Sequence, residues 1–88
     1  MELLFIAHTY PTPDFPFFGA RIAVSGLTED LTVTRAEVDG TWMRDVHVYN
    51  DGKECRKGIL RADGYAELRI RTDARNGDAP SVRVVLSD

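Results

Sequence analysis

The fold class is decided by residues 39–64, which read DGTWMRDVHVYNDGKECRKGILRADG. Three Asp-Gly pairs divide this stretch; they begin at Asp39, Asp51 and Asp63, twelve residues apart, and Asn76-Gly77 follows thirteen residues later. Asp-Gly and Asn-Gly favour type I′ hairpin turns, because both central residues of such a turn have positive φ. Strands of about eight to ten residues between these turns predict an all-β chain.

Residues 31–86 are therefore expected to form successive antiparallel hairpins, and the alternation of apolar side chains assigns their faces. In the strand expected over residues 65–72, the apolar side chains alternate with Glu67, Arg69 and Arg71, which point outward. The strand expected over residues 41–50 places its Trp and two Val residues on one face. The expected core members are Trp42, Val46, Leu68, Ile70, Val82 and Val84.

The alternation slips in residues 31–38, which predicts a β-bulge near Thr34 and Arg35. Gly58 is expected to restore the alternation of side chains in the same way, by a bulge between Cys55 and Leu60.

Two further strands are expected upstream, over Leu3–Ala7 and Ala20–Val24. Seven short strands, each apolar on one side, need a second layer, so they predict a small antiparallel β-sandwich, with a small barrel as the alternative. We expect residues 20–88 to form the sandwich. Residues 1–19 are expected to form an N-terminal strand and an arm rich in proline and aromatic residues.

Two stretches resemble the fibronectin type III family of immunoglobulin-like sandwiches, over roughly residues 13–86. Residues 21–34, RIAVSGLTEDLTVT, look like that family's opening strands, and residues 65–84, with Asn76-Gly77, are similar to its last hairpin. Arg35 stands where the family has a core tryptophan, and Trp42 is expected to replace it from the next strand. The resemblance implies a binding or spacer module.

The composition is that of one small folded domain. The chain has 88 residues, 43% of them hydrophobic and 28% charged, a balance that excludes simple disorder. The single cysteine, Cys55, forms no intrachain disulfide, and the net charge of −3 argues against nucleic acid as a partner. Residues 1–52 carry three Arg against eight acids, and residues 53–88 carry eight Lys and Arg against six acids. This asymmetry favours head-to-tail contacts between copies.

The amino terminus predicts synthesis in the cytoplasm without a signal peptide. Glu2 stands where a secretory signal has basic residues, and the apolar run of about five residues is shorter than the roughly 7 to 15 of a signal core. No stretch approaches the roughly 18 apolar residues of a membrane span, so we expect no membrane contact. Incorporation into a virion or an extracellular particle is compatible with these features.

The sequence predicts no catalysis, no cofactor and no metal site. His47 shares an expected strand face with Asp45, so a carboxylate could orient its ring. No Ser or Cys lies in a recognisable nucleophile motif. The Asp-Gly acids are explained by turn chemistry, and residues 73–78 lack the alternating acids of a calcium loop.

Residues 9–19, TYPTPDFPFFG, are the strongest candidate for contact with a partner. Prolines hold such a segment extended and forbid regular pairing. Its four rings, those of Tyr10, Phe15, Phe17 and Phe18, are costly to leave in water. The segment is expected either to fold across one mouth of its own sandwich or to lie against another subunit. The preceding strand could add itself to a neighbour's sheet edge.

A basic stripe is the second candidate for partner contact. Arg69, Arg71 and Arg83, with Arg61 on the neighbouring strand, are expected to share one sheet face and to meet an acidic protein surface or phosphate. The alternative is a solvated face balanced by Glu67 and Asp63.

These observations predict a non-enzymatic structural or interaction module that assembles with other protein subunits, itself included, or decorates a larger assembly such as a virion or an appendage. The alternative is a small carbohydrate- or peptide-binding module that uses Trp42, Tyr49 and Tyr65 as stacking platforms. Exposure of the Trp42 ring distinguishes the two, because a buried ring cannot stack on a ligand.

Overall fold

The structure, a computed structural model, describes residues 1–13, 18–72 and 79–87. Within these ranges the chain forms strands and turns without a helix, so the all-β prediction is confirmed. The described strands are β1 (Glu2–Ile6), β2 (His8–Pro11), β3 (Phe18–Val24), β4 (Leu31–Val38), β5 (Thr41–Met43), β6 (Val46–Asn50), β7 (Lys53–Cys55), β8 (Ile59–Leu60), β9 (Ala66–Thr72) and β10 (Ser81–Ser87). No helix in the described part of the chain is long and apolar enough to cross a membrane.

The strands form two antiparallel sheets. Sheet A has the order β1-β10-β4-β5, and β8 also pairs with β4; sheet B has the order β2-β3-β9-β6-β7. The two apolar inner faces pack on each other to make one core, as a two-layer fold requires. The described residues contain ten strands where about seven were expected, because the chain changes sheet more often than the turn pattern indicates.

Two of the expected hairpin turns are confirmed. Asp39 and Gly40 have φ values of 48° and 85° and join β4 to β5. Asp51 and Gly52 have φ values of 52° and 81° and join β6 to β7. Positive φ at both central residues is the mark of the type I′ turn.

The prediction that every strand in residues 31–86 forms a hairpin with the next is wrong. Asp63-Gly64 joins β8, in sheet A, to β9, in sheet B, so these strands form no hairpin. Strands β9 and β10 also lie in different sheets, and Asn76-Gly77 between them lies outside the described residues. An Asp-Gly pair permits a reversal, but the apolar faces decide which strand the reversed chain joins.

The stretch predicted as one strand over residues 41–50 is divided. Strand β5 pairs with β4 in sheet A, whereas β6 pairs with β9 in sheet B. The crossing at Arg44 and Asp45 breaks the alternation, so Met43 packs against the core and Trp42 points into solvent with 59% of its surface exposed. The prediction of Trp42 as a core residue, and as a substitute for a family core tryptophan, is therefore wrong.

The predicted bulge is confirmed. Val85 of β10 pairs with Arg35, and Leu86 pairs with Val33, so Thr34 is the extra residue on β4. Its hydroxyl donates a hydrogen bond to the carbonyl of Val85 at 3.0 Å. The bulge returns both ends of β4 to the core side, as the shift in alternation requires.

The core contains four of the six predicted members: Leu68, Ile70, Val82 and Val84 are each at most 1% exposed. Val46 is partly buried and packs against this cluster. Gly58, with a φ of 74°, turns the chain between β7 and β8, and its carbonyl accepts a hydrogen bond from Val33.

The amino-terminal residues belong to the chain's own sheets. Strand β1 pairs with β10, and the chain crosses to sheet B at Ala7, which is 1% exposed and donates a hydrogen bond to the carbonyl of Pro80. Strand β2 pairs with β3, with Pro11 opposite Phe18. The expectation that the prolines forbid regular pairing is wrong for residues 8–11, because Pro11 ends an edge strand, where its missing N–H costs no ladder bond.

Candidate functional site

The outer side of sheet B forms a surface of aromatic and basic side chains. The strand register places Gly19 between Tyr10 and Arg71 in one row across the sheet, and it pairs Arg21 and His47 with Arg69 in the next. We call this surface the tyrosine–arginine face; its members are Tyr10, Arg21, His47, Tyr49, Arg69 and Arg71. Tyr10, Arg69 and Arg71, which were predicted as partner-binding residues, are therefore brought together here.

Tyr10 is held flat against the sheet by a glycine. Its ring lies where a Cβ of Gly19 would stand, so any side chain at position 19 would displace the ring. The guanidinium carbon of Arg21 lies 5.5 Å from the ring centroid, within the range of a cation–π contact. The ring is thus positioned before any partner arrives.

Arg69 is fixed by a buried carboxylate and by an aromatic ring. Its Nε donates to Oε1 of Glu67 at 2.5 Å, and its guanidinium carbon lies 4.0 Å from the centroid of Tyr49. The Tyr65 hydroxyl donates to the other oxygen of Glu67 at 3.2 Å. Glu67 is only 4% exposed, although it was predicted to point into solvent. The buried carboxylate of Glu67 is therefore paired with one positive charge and hydrogen-bonded at both oxygens, as a buried charge requires.

His47 lies between two carboxylates. Its Nδ1 lies 2.7 Å from Oε2 of Glu54 and its Nε2 lies 2.5 Å from Oδ1 of Asp45. The hydrogen bond to Glu54, followed by that to Asp45, raises the pKa of His47 above its ordinary 6.5 against the opposing effect of partial burial. Asp45 also accepts from Nε of Arg71 at 2.8 Å. The predicted proximity of Asp45 and His47 is confirmed, and the pair is part of an ion-pair network.

A shallow cleft of about 240 Å³ opens in the tyrosine–arginine face between Tyr10, His47 and Tyr49. Its lining also includes Asp45, Arg69 and Arg71, whose side chains are held by the contacts described above. Rigid Tyr and Arg side chains lose little conformational freedom on docking, and both residue types are enriched at the centres of protein interfaces.

Arg83 lies on the opposite side of the sandwich. It is on β10 in sheet A, whereas Arg69 and Arg71 are on β9 in sheet B, so the predicted stripe that joined all three is wrong. The two strands were expected to form a hairpin in one sheet, and their separation into two layers removes the shared face. Arg83 Nη2 contacts Glu37 at 2.5 Å, and its Nη1 lies 3.8 Å from Glu2.

Acidic residues of the first part of the chain thus pair with basic residues of the second part within one molecule. Arg83 with Glu37 and Arg71 with Asp45 are examples. The charge asymmetry that favoured head-to-tail contacts between copies is satisfied in part inside the fold.

Arg61, expected near the basic stripe, pairs instead with Asp63 at 3.0 Å, with both side chains largely exposed. Within the described residues, no group of three or more His, Cys, Asp and Glu is placed to hold a metal ion.

A second cleft, of about 300 Å³, lies where the chain crosses from β5 to β6. Val33, Ala36, Met43 and Val46 are among its apolar lining residues, and the exposed ring of Trp42 stands at its border with Arg44 6.0 Å from the ring centroid. Of the three rings expected to act as stacking platforms, Trp42 is on sheet A whereas Tyr49 is on sheet B.

Three of the five large apolar side chains that are exposed in the described residues lie at the amino terminus. Leu4 and Ile6 are 72% and 67% exposed on the outer side of β1, and Met1, which precedes the strand, is 68% exposed. Leu3 and Phe5 alternate with them and pack against the core. The sequence predicts that the strand over Leu3–Ala7 could pair with a neighbour's sheet edge, but it does not single out the side chains of Leu4 and Ile6 as contact residues. The signal was present, because a strand that is apolar on both faces predicts that both faces are covered.

Of the predicted aromatic anchors, Phe18 begins β3 and is half-buried, opposite Pro11 and Thr72. Phe15 and Phe17 lie outside the described residues. Comparison of the chain with protein-family models, with curated proteins and with solved structures finds no match.

Proposed function

We propose that this chain is a non-enzymatic interaction module that assembles with other protein subunits, copies of itself among them. The observation that carries the proposal is the exposure of Leu4 and Ile6, 72% and 67%, next to one another on an edge strand of sheet A. Isolated exposed apolar residues are ordinary, but a contiguous apolar strip on a sheet edge is a typical contact surface.

The tyrosine–arginine face supports the same role. Tyr10 and Arg69 are held in place by contacts within the chain, so a partner that binds them pays little for ordering them. The resemblance of residues 21–34 to fibronectin type III domains agrees with a binding or spacer role and stays a prediction. Incorporation into a virion or an extracellular particle likewise stays a prediction.

The experiment that tests the proposal is sedimentation of the full chain across a concentration series. We expect the average mass to exceed the 9.9 kDa of one chain and to rise with concentration. The double variant Leu4→Gln, Ile6→Gln should sediment as one chain, because both side chains are exposed and their replacement leaves the core intact. A matched variant of the other surface, Tyr10→Ala with Arg71→Ala, shows whether the tyrosine–arginine face contributes. A native chain of 9.9 kDa at every concentration would contradict the proposal.

A second candidate is a small carbohydrate- or peptide-binding module. The observation that favours it is the exposed ring of Trp42 at the border of the 300 Å³ cleft, since exposed aromatic rings stack on sugars and on peptide groups. Trp42 is the only tryptophan of the chain, so its fluorescence reports on this cleft alone. Saturable quenching by a member of a glycan or peptide panel, lost in a Met43→Ala variant, would favour this candidate. Unchanged emission across the panel would exclude it for those ligands.

A further inference from the structure

The backbone of β1 leaves alternate polar groups unpaired at the open edge of sheet A. The amide of Leu86 donates to the carbonyl of Met1 at 2.8 Å, and the amino group of Met1 donates to the carbonyl of Leu86 at 3.1 Å. In an antiparallel ladder, residue pairs that exchange two hydrogen bonds alternate with pairs that exchange none. Leu3 and Phe5 therefore direct their N–H and C=O groups to β10. The residues whose N–H and C=O groups point to the open edge are Glu2, Leu4 and Ile6.

The other sheet edges of the described chain are protected in the ways that natural proteins use against edge pairing. Strand β2 ends in Pro11, and strand β7 is three residues long and carries Lys53 and Glu54. Strands β5 and β8 have three and two residues. Strand β1 has five residues and contains no proline, glycine or lysine, and it is the longest edge strand of the described chain.

The sequence of β1 is complementary to itself when two copies run in opposite directions. With Leu4 opposite Leu4 of a second copy, Glu2 faces Ile6 and Leu3 faces Phe5. The pairs of Leu4 with Leu4 and of Glu2 with Ile6 are then hydrogen-bonded, because the backbone groups of these residues point to the edge. Each such pair exchanges two hydrogen bonds. On the solvent side, the two Leu4 side chains cover each other, and each Ile6 lies beside the stem of a Glu2.

We propose that two copies of this chain pair through β1, antiparallel and with Leu4 opposite Leu4, so that their two A sheets join into one continuous sheet. The inference rests on the proposed function and names the partner, the contact strand and the register. Such a contact is isologous: the same patch serves both copies and closes about a two-fold axis.

The charges at the edge allow this register. Glu2 is the only ionisable side chain of β1. In the pair, the two Glu2 carboxylates stand four residues apart along the strands, on the order of 13 Å, beyond the screening length of about 8 Å at physiological salt. Each Glu2 also keeps Arg83 of its own chain at 3.8 Å. A short strand pair buries less than the roughly 1,200 Å² typical of stable complexes, so the dimer is weak and depends on concentration.

Cysteine cross-linking tests the register directly. Residues of a hydrogen-bonded pair in an antiparallel sheet have Cα atoms about 5.5 Å apart, and this distance is within the range of a disulfide. In a Cys55→Ser background, the Leu4→Cys variant should form a disulfide dimer at millimolar concentration when copper–phenanthroline is added as the oxidant. The matched controls, Glu2→Cys and Ile6→Cys, should each stay monomeric alone, because like positions are far apart, and should cross-link to each other when mixed.

The outcomes separate this inference from the proposed function. A cross-link of Leu4→Cys together with a mixed cross-link of Glu2→Cys to Ile6→Cys supports the register. If the native chain self-associates but these variants cross-link no faster than a surface control, Thr28→Cys, then the β1 pairing is wrong and the proposed function stands. If the native chain remains monomeric at millimolar concentration, both are overturned.

Discussion

The ring of Tyr10 lies directly against the backbone of Gly19, its cross-strand neighbour on β3, at the place where a Cβ would stand. Gly19 is buried and belongs to a regular strand, where glycine is otherwise unfavourable. The glycine is therefore explained by the ring that covers it. This contact positions Tyr10 on the tyrosine–arginine face.

Gly19→Ala should destabilise the fold by about 1–3 kcal/mol, the usual cost of overpacking, because the ring of Tyr10 must move. In a Tyr10→Ala background the same substitution should be neutral or stabilising, because alanine is favoured over glycine in a strand. Chemical denaturation of the four variants of this double-mutant cycle measures the coupling. Equal costs in both backgrounds would mean that the ring does not occupy this place.

Arg69→Met should destabilise the protein by about 1–3 kcal/mol, because it removes a hydrogen-bond donor from the buried carboxylate of Glu67. The double variant Arg69→Met, Glu67→Gln should recover part of this loss, because the uncompensated charge is gone. Arg61→Met is the matched control: its pair with Asp63 is exposed and should contribute little. Thermal and urea denaturation of the three variants make the comparison.

The free energy of unfolding should depend on the ionisation of His47. The carboxylates of Glu54 and Asp45 raise its pKa in the folded protein above 6.5. The stabilisation that the protonated His47 contributes is therefore complete below pH 6.5, and it is lost as the pH rises through the raised pKa of His47 in the folded protein. His47→Gln should remove this part of the pH dependence, and Glu54→Gln should shift it to lower pH. A pH series of urea denaturation curves, with an NMR titration of the ring, measures both effects; a titration of His47 at or below pH 6.5 would contradict this account.

Leu68→Ala should cost about 2–5 kcal/mol, because Leu68 is fully buried between the sheets. Trp42→Ala should cost much less, although a larger side chain is removed, because 59% of Trp42 is exposed. Calorimetric melting of both variants tests whether Leu68 lies in the core and Trp42 lies outside it. A larger loss for Trp42→Ala would restore the sequence-based assignment of Trp42 to the core.

The features that the sequence predicts correctly are local ones. Asp39-Gly40 and Asp51-Gly52 require positive φ, and the slip in alternation at Thr34 requires a bulge. Each depends on the conformation of a few adjacent residues. Their place in the chain is therefore visible in the printed sequence.

The features that it misses are choices between the two sheets. The chain leaves sheet A after Met43 and leaves it again after Leu60, and no local pattern marks these crossings. The prediction for Trp42 is wrong because it continues the alternation of apolar side chains across the crossing at Arg44 and Asp45. The prediction that Arg83 lies beside Arg69 is wrong because it pairs the strands on either side of Asn76-Gly77, which lie in different sheets. Long-range packing decides both, and it is not contained in the spacing of turns.

The central claim, that β1 is a contact edge between copies, is tested most directly by amide hydrogen exchange of single residues, followed by NMR at a low and at a millimolar concentration. The amides of Leu3 and Phe5, which point to β10, should be protected at both concentrations. The amides of Leu4 and Ile6, which point to the open edge, should exchange rapidly in the dilute sample and become protected in the concentrated one. Exchange of Leu4 and Ile6 at the same rate in both samples would contradict the claim.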